Sequence, residues 1–274
     1  MFMKNIYIYK GTSTLDEFLR NDAYTFTNDK SISECLLIGG KEIDLSEYPK
    51  LKGIFKTGVG TDNLPFSSAK ERDITICLPS SKTCDFIYEE TAAFTCHLIL
   101  DRLYQNIGKW EEWYKKPRNA ICNLRALIVG KGKIGTKVFN KLSTFMNVDS
   151  FDILNNKPEE FEEKIRNADI ISIHVPLSKE TRDMFNKETL SWMKDGSLIV
   201  NTARAAIINE SDLYYELISK RINCAIDVFW KEPYNGLISN LKQNNVSMTP
   251  HLASTCNEFL ISAEEDFYKF LQTL

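Results

Sequence analysis

Neither sign of charge dominates this sequence: 34 lysines and arginines face 37 aspartates and glutamates over 274 residues, a formal net charge of −3. That balance leaves no electrostatic footprint for nucleic acid or an anionic membrane, so neither is expected as a partner. Long apolar runs are missing too. None approaches the ~20 residues that cross a bilayer. The amino terminus passes from Met1-Phe2-Met3-Lys4 straight into an alternating pattern, without the apolar core of a signal peptide. Seven cysteines stand at positions 35, 77, 84, 96, 122, 224 and 256, with no CxxC pair. Such scatter offers neither a zinc site nor a disulfide framework, and sets the expectation of a metal-free protein in the reducing cytoplasm. Histidine is scarce, with three in the chain, and no internal repeat or low-complexity tract is present. What is there, 43% hydrophobic and 26% charged residues, suits a globular chain with one large core or two smaller ones.

Short aliphatic runs recur with helical patterns between them. Strands are expected at 6–9, 35–38, 53–56, 74–78, 125–129, 148–151, 169–175, 197–201, 224–228 and 246–248, several apolar throughout, as in strands covered on both faces. Helices are expected at 14–20, 89–104, 136–145, 158–167, 187–193 and 210–220. This alternation reads as α/β, with parallel sheets built from βαβ units. The helix at 89–104 is apolar nearly throughout and is expected to be buried, whereas the aromatic and charged stretch 105–123 reads as a junction. The charge run at 157–166 reads as a solvated helix face.

Ala126-Leu127-Ile128-Val129 runs into Gly130-Lys131-Gly132-Lys133-Ile134-Gly135 and an amphipathic helix carrying Val138, Leu142 and Phe145. A G-x-G-x-x-G turn between strand and helix cradles a pyrophosphate. Gly130 permits the turn, Gly132 lets backbone approach the phosphates, and Gly135 allows close helix–strand packing. Lys133 and Ile134 open the helix, whose amino terminus favours an anion. An acidic residue belongs about 20 residues further on, to bond the ribose hydroxyls. Asp152 fills that place, with Asp149 a nearby competitor. A carboxylate there repels a 2′-phosphate, so NAD is the expected cofactor.

Of the histidines, His97 lies in the apolar helix and reads as a core residue. His174 ends a buried strand and reads as structural or as part of a cofactor edge. His251 leaves another strand end in Thr249-Pro250-His251. Arg204 follows the strand ending at Asn201, and Glu232 follows the strand and turn 225–231. An arginine can hold a carboxylate bidentately, and a histidine beside a carboxylate can exchange a proton near neutral pH. The set suits hydride transfer to a 2-oxo acid; on spacing alone it is one of several comparable readings.

The same residues fall in ordered blocks, at 51–63, 130–135, 172–177, 201–209, 227–233 and 249–254, and over them the chain resembles the D-isomer-specific 2-hydroxyacid dehydrogenases. The resemblance implies two doubly wound parallel-sheet domains. A Rossmann-type NAD-binding domain (89–252) would be inserted into a flavodoxin-like substrate domain (1–88 with 253–274). It implies that His251 is the acid/base, that Glu232 orients it, and that Arg204 binds the substrate carboxylate and keto group. Backbone groups at Val59 and Gly60 would take the other side of the carboxylate. Asp227 would sit near the nicotinamide carboxamide, and Val175, Pro176, Thr202, Ala203 and Ala253 would line the cofactor. A homodimer through the NAD-binding domain is also implied.

Ala205 and Ala206 stand where many members have two glycines, and Ala253 where glycine is common. Phosphoglycerate-specific members carry arginine in the loop that here reads Ile38-Gly39-Gly40-Lys41, leaving Lys41 to meet a substrate phosphate. Smaller 2-oxo acids such as hydroxypyruvate and glyoxylate are therefore equally open. Two other readings compete: an NAD(H)-binding regulatory or scaffold protein, and a dehydrogenase of a small anion such as formate or phosphite.

Overall fold

Residues 6–9, 24–105, 107–241 and 245–274 are described in a computed structural model. The chain divides into two units, Met1–Ile87 with Ser254–Leu274, and Tyr88–Ala253. The expected helix at 14–20 lies outside the described residues. Among those described, no helix is long and apolar enough to cross a membrane.

In the first unit five strands, β1 (Ile6–Tyr9), β2 (Tyr24–Thr27), β3 (Cys35–Ile38), β4 (Gly53–Lys56) and β5 (Thr75–Cys77), form a parallel sheet in the order β2-β1-β3-β4-β5. This is the flavodoxin-like order. Successive residues of a strand point to opposite faces, so the unbroken run Cys35–Ile38 feeds two cores. Leu37 joins Ile8 and Phe55 on one face; Leu36 and Ile38 join Ile54, Leu45 and Tyr48 on the other. Helix α1 (Phe66–Glu71) precedes β5. The first face is closed by a distant segment, the helix Asn257–Leu271, through Phe259, Ala263, Phe267 and Phe270. The Phe267 ring lies 5.4 Å from that of Phe55, and a Cβ on Gly53 would come within 2.7 Å of the Phe270 ring.

The second unit begins inside helix α2 (Ser81–Tyr104). A small antiparallel hairpin follows, β6 (Gly108–Lys109) with β7 (Tyr114–Lys115). Six strands then build a second parallel sheet: β8 (Arg125–Val129), β9 (Asn147–Phe151), β10 (Ile170–Ile173), β11 (Leu198–Asn201), β12 (Asn223–Ile226) and β13 (Val246–Met248), in the order β13-β12-β11-β10-β8-β9. Ala126 and Ile128 pack against α2 and α3 (Lys133–Leu142), together with Leu98, Ile99, Val138 and Leu142. Leu127 and Val129 face the other layer, formed by α4 (Glu160–Asn167), α5 (Lys187–Ser191) and α6 (Glu210–Ile218). The chain reverses its direction of progress across the sheet at β8, which lies between β9 and β10. Ligands bind parallel sheets at such a switch point.

Several local expectations change. Helix α2 starts eight residues before the expected helix. Its apolar sequence hides a three-turn stripe, Ala93, His97 and Asp101, which is exposed. His97 is thus a surface residue against Phe94, with ring centroids 5.5 Å apart, and not a core residue. The stretch read as a junction lies inside the second unit and holds the hairpin. As expected, helix α4 follows β9 directly; in the strand order β9 is an edge of the sheet. The remaining helix, Asn257–Leu271, is called α7 below.

Candidate active site

The turn after β8 is shaped by its glycines. Gly130 has φ +91°, and a Cβ there would approach the His174 carbonyl carbon to 2.7 Å. A Cβ on Gly135 would lie 2.0 Å from the Gly130 oxygen, so only glycine lets α3 start this close to the turn. Gly132 differs: a Cβ there would meet nothing within 4 Å. That exposed glycine caps α3, and Thr136 N–H closes the first helical turn on the Gly132 carbonyl at 3.0 Å. N–H groups of a first helical turn have no acceptor within the helix. Open space over Gly132 and the helix start at Lys133 and Ile134 therefore fit a dinucleotide pyrophosphate.

Asp152 lies just beyond β9. Its Oδ2 accepts from Lys131 N–H at 2.7 Å and its Oδ1 from Leu154 N–H at 3.0 Å. The carboxylate is thereby held beside the glycine turn, while its competitor Asp149 is paired with Lys164 at 2.8 Å. Val175 and Pro176 follow β10 on the far side of the turn, and a Cβ on Gly130 would touch Val175. His174 pairs through Nε2 with Ser172 Oγ at 2.8 Å, and burial pushes its imidazole down to about 3. A neutral ring there matches a structural role and not a proton exchanger.

Thr202 is buried beside β11, and Thr95 of α2 reaches it at 2.8 Å. The Thr95 O–H donates to the Thr91 carbonyl at 2.7 Å, so its single proton is committed. Thr202 must then donate to Thr95, and a ligand that meets the Thr202 oxygen has to be a donor itself. Thr95 escapes sequence reading because nothing in an apolar helix marks one threonine as reaching a residue so distant in the chain. Ala203 donates its N–H to Asn201 Oδ1 at 2.9 Å, while Asn201 Nδ2 donates to the Arg204 carbonyl at 2.9 Å. The buried asparagine thus shapes the turn that presents the half-buried Arg204, whose guanidinium bonds the Ala203 carbonyl at 2.8 Å.

His251 and Glu232 are brought together. Nδ1 of His251 lies 3.0 and 2.9 Å from the two carboxylate oxygens. A carboxylate facing Nδ1 makes that nitrogen the proton carrier and leaves Nε2 to exchange protons. Phe229 N–H also donates to Glu232 Oε1, at 3.1 Å. Burial pushes the Glu232 carboxyl up, but the His251 hydrogen bond and charge, the Phe229 N–H and the Arg204 charge outweigh it and hold the group low. The loop carrying Glu232 is pinned from both sides. Trp230 Nε1 donates to the Ile208 carbonyl at 2.9 Å, Tyr234 O–H donates to Glu210 at 2.7 Å, and the Phe229 and Tyr234 rings stack at 4.7 Å.

Asp227, fully buried, fastens the His251 turn. Its carboxylate accepts from Thr249 Oγ1 at 2.6 Å and from the N–H groups of Leu252 and Ala253 at 3.0 and 2.9 Å. Burial raises its pKa, and these bonds only partly offset the shift. Between them His251 takes φ +52°, a left-handed conformation uncommon outside glycine that the Asp227 bonds stabilise. In the first unit, Lys41 is exposed after β3, and Val59 and Gly60 lie half-buried in the turn after β4.

The sequence model of the D-isomer specific 2-hydroxyacid dehydrogenase NAD-binding domain matches residues 93–253. The chain is similar to hydroxypyruvate reductase of Thermotoga maritima, 33% identical over 232 residues that cover 78% of this chain and 75% of that protein. It is 31% identical over 229 residues to D-3-phosphoglycerate dehydrogenase of Archaeoglobus fulgidus, covering 76% of this chain and 42% of that longer protein. Its fold is shared with D-lactate dehydrogenase of Aquifex aeolicus, solved with NAD and lactic acid, at a TM-score of 0.77, 22% identity and coverage of 98% and 95%. With the family match spanning more than half of its length, the chain belongs to the D-isomer-specific 2-hydroxyacid dehydrogenases, which are NAD-dependent oxidoreductases.

Proposed function

We propose that His251, Glu232 and Arg204 are the catalytic residues for interconverting a small 2-oxo acid and its D-2-hydroxy acid. The observation that carries this reading is the paired contact of both Glu232 oxygens with His251 Nδ1. Bound NAD supplies the hydride acceptor or donor. In the reducing direction Nε2 of His251 gives a proton to the keto oxygen, while Glu232 stabilises the charged ring. Arg204 holds the substrate carboxylate and keto oxygen, and the backbone at Val59 and Gly60 completes carboxylate binding.

On this reading Gly130, Gly132, Lys133, Ile134 and Gly135 hold the pyrophosphate, and Asp152 selects NAD over NADP. Val175, Pro176, Thr202, Ala203, Asp227 and Ala253 line the nicotinamide side. With Lys41 exposed and no arginine in its loop, hydroxypyruvate and glyoxylate are favoured over a phosphorylated acid. On the same reading the substrate domain is 1–88 with 253–274 and the cofactor domain is 89–252. Seven cysteines, none of them in a disulfide, suit a cytoplasmic setting. Exposed Trp110 and Trp113 on the hairpin arm favour a homodimer.

The test is NADH consumption against hydroxypyruvate, glyoxylate, pyruvate, longer 2-oxo acids and phosphohydroxypyruvate, beside His251→Ala. Loss of general acid catalysis should cost the variant about 10²–10⁴-fold in kcat while NADH still binds. Tight NADH binding with no turnover by the wild-type protein would instead favour a regulatory role or a formate- or phosphite-like substrate.

A further inference from the structure

Lys56 is only 2% exposed. Lysine is almost never fully buried without partners, because sealing an ammonium away from water is costly. An aliphatic side chain would fill the space at the end of β4 more cheaply, so the bonds that Lys56 makes call for a reason. It pairs in register with Ile38, the last residue of β3. The chain therefore leaves both strands at the same carboxyl edge, the edge where parallel sheets bind ligands.

From there the Lys56 ammonium donates to the Gly39 carbonyl at 2.5 Å and to Asn63 Oδ1 at 2.8 Å. Asn63 in turn donates through Nδ2 to the carbonyls of Gly39 at 3.0 Å and Lys41 at 2.7 Å. Thr57 closes the near end, its N–H and Oγ1 bonding the Ile38 carbonyl at 3.0 and 3.2 Å. The loop 39–41 and both ends of the turn 57–63 are thus tied into one network. Val59 and Gly60 lie inside that turn. Val59 packs against the core of Ile8, Leu37 and Phe55, while a Cβ on Gly58 would meet nothing within 4 Å, so the bonds at the two ends share with Val59 the holding of the turn.

We propose that Lys56 is a positioning residue that sets the substrate-carboxylate turn, with Asn63 as its relay. The proposal rests on the reading that Val59 and Gly60 bind the carboxylate. It predicts a defect in substrate binding with little change in chemistry, since the functional reading assigns proton transfer and cofactor binding to residues of the second unit.

The experiment uses the full chain with NADH and the best 2-oxo acid, comparing the wild type with Lys56→Met and Asn63→Ala. Lys56→Met should raise KM about tenfold or more, change kcat by less than about threefold, and leave the NADH Kd within about twofold. Oxamate, a non-reacting 2-oxo acid mimic, should bind the NADH complex correspondingly more weakly. Asn63→Ala should move KM and the oxamate Kd in the same direction. A soluble Lys56→Met protein with a lower Tm but unchanged KM and oxamate binding would overturn the proposal. If Lys56→Met does not fold, Asn63→Ala decides, and an unchanged KM there is equally fatal. A wild-type protein that turns over no 2-oxo acid would instead bring down the functional reading, and this proposal with it.

Discussion

The three glycines of the turn after β8 do different work, and substitution should separate them. Gly135→Ala drives a Cβ into the Gly130 oxygen, so either α3 or the turn must shift. It should cost about 1–3 kcal/mol of stability, read as a lower Tm without any cofactor. Gly132→Ala meets no protein atom and should leave the apo Tm unchanged. Its methyl occupies the space assigned to the pyrophosphate, so NADH binding measured by fluorescence should weaken by about tenfold or more. Equal NADH affinity in Gly132→Ala would remove the phosphate from that position.

At the scale of elements, the site depends on loops pinned by distant partners. Glu232 stands on one of them, and its held-down carboxyl stays ionised at neutral pH. Glu232→Gln keeps the shape but removes the negative charge facing His251 Nδ1. The kcat for reduction should fall by about tenfold or more, with the NADH Kd unchanged. An unchanged kcat would mean that Glu232 only holds the loop. The same scale shows what sequence can carry. Strands buried on both faces, such as Cys35–Ile38 and Ile170–Ile173, are legible because their residues are apolar throughout or, with Ser172 in the second, nearly so. Tyr24–Thr27 is a short edge strand of mixed exposure, and both hairpin strands are exposed, so neither has a pattern to read. The first turns of α2 are mostly polar and show no period, and its apolar middle conceals which stripe faces water. Arg204, Glu232 and His251 become legible only through the order of their sequence blocks. The residues that hold them, Asn201, Asp227 and Tyr234, act through bonds that local spacing does not report.

For the molecule as a whole, His174 makes stability depend on acidity. Its imidazole titrates at about 3 when folded, against an ordinary 6.5 when unfolded. Between those values the unfolded chain binds the extra proton, so stability that is complete above 6.5 is lost as pH falls toward 3. One such group costs about 2 kcal/mol by about pH 5. Thermal melts across that range should show a shallower acid slope in His174→Asn than in the wild type; equal slopes would place the titration elsewhere. The exposed Trp110 and Trp113 lead to a second expectation at this scale. Light scattering should report a dimer, and replacing both with serine should shift it toward monomer. A wild-type monomer at micromolar concentration would dispose of the dimer.

Helix α7 covers a sheet whose strands all lie in the first 87 residues, and the whole second unit is encoded between them. During synthesis, the face formed by Ile8, Leu37 and Phe55 therefore emerges long before the phenylalanines that cover it. The continuous second unit can complete its own core in the meantime. The first unit must wait, its sticky face open to chaperones or to neighbouring nascent chains, until α7 has left the ribosome. Insertion of one unit into another thus fixes an order of assembly in which the half begun first is finished last.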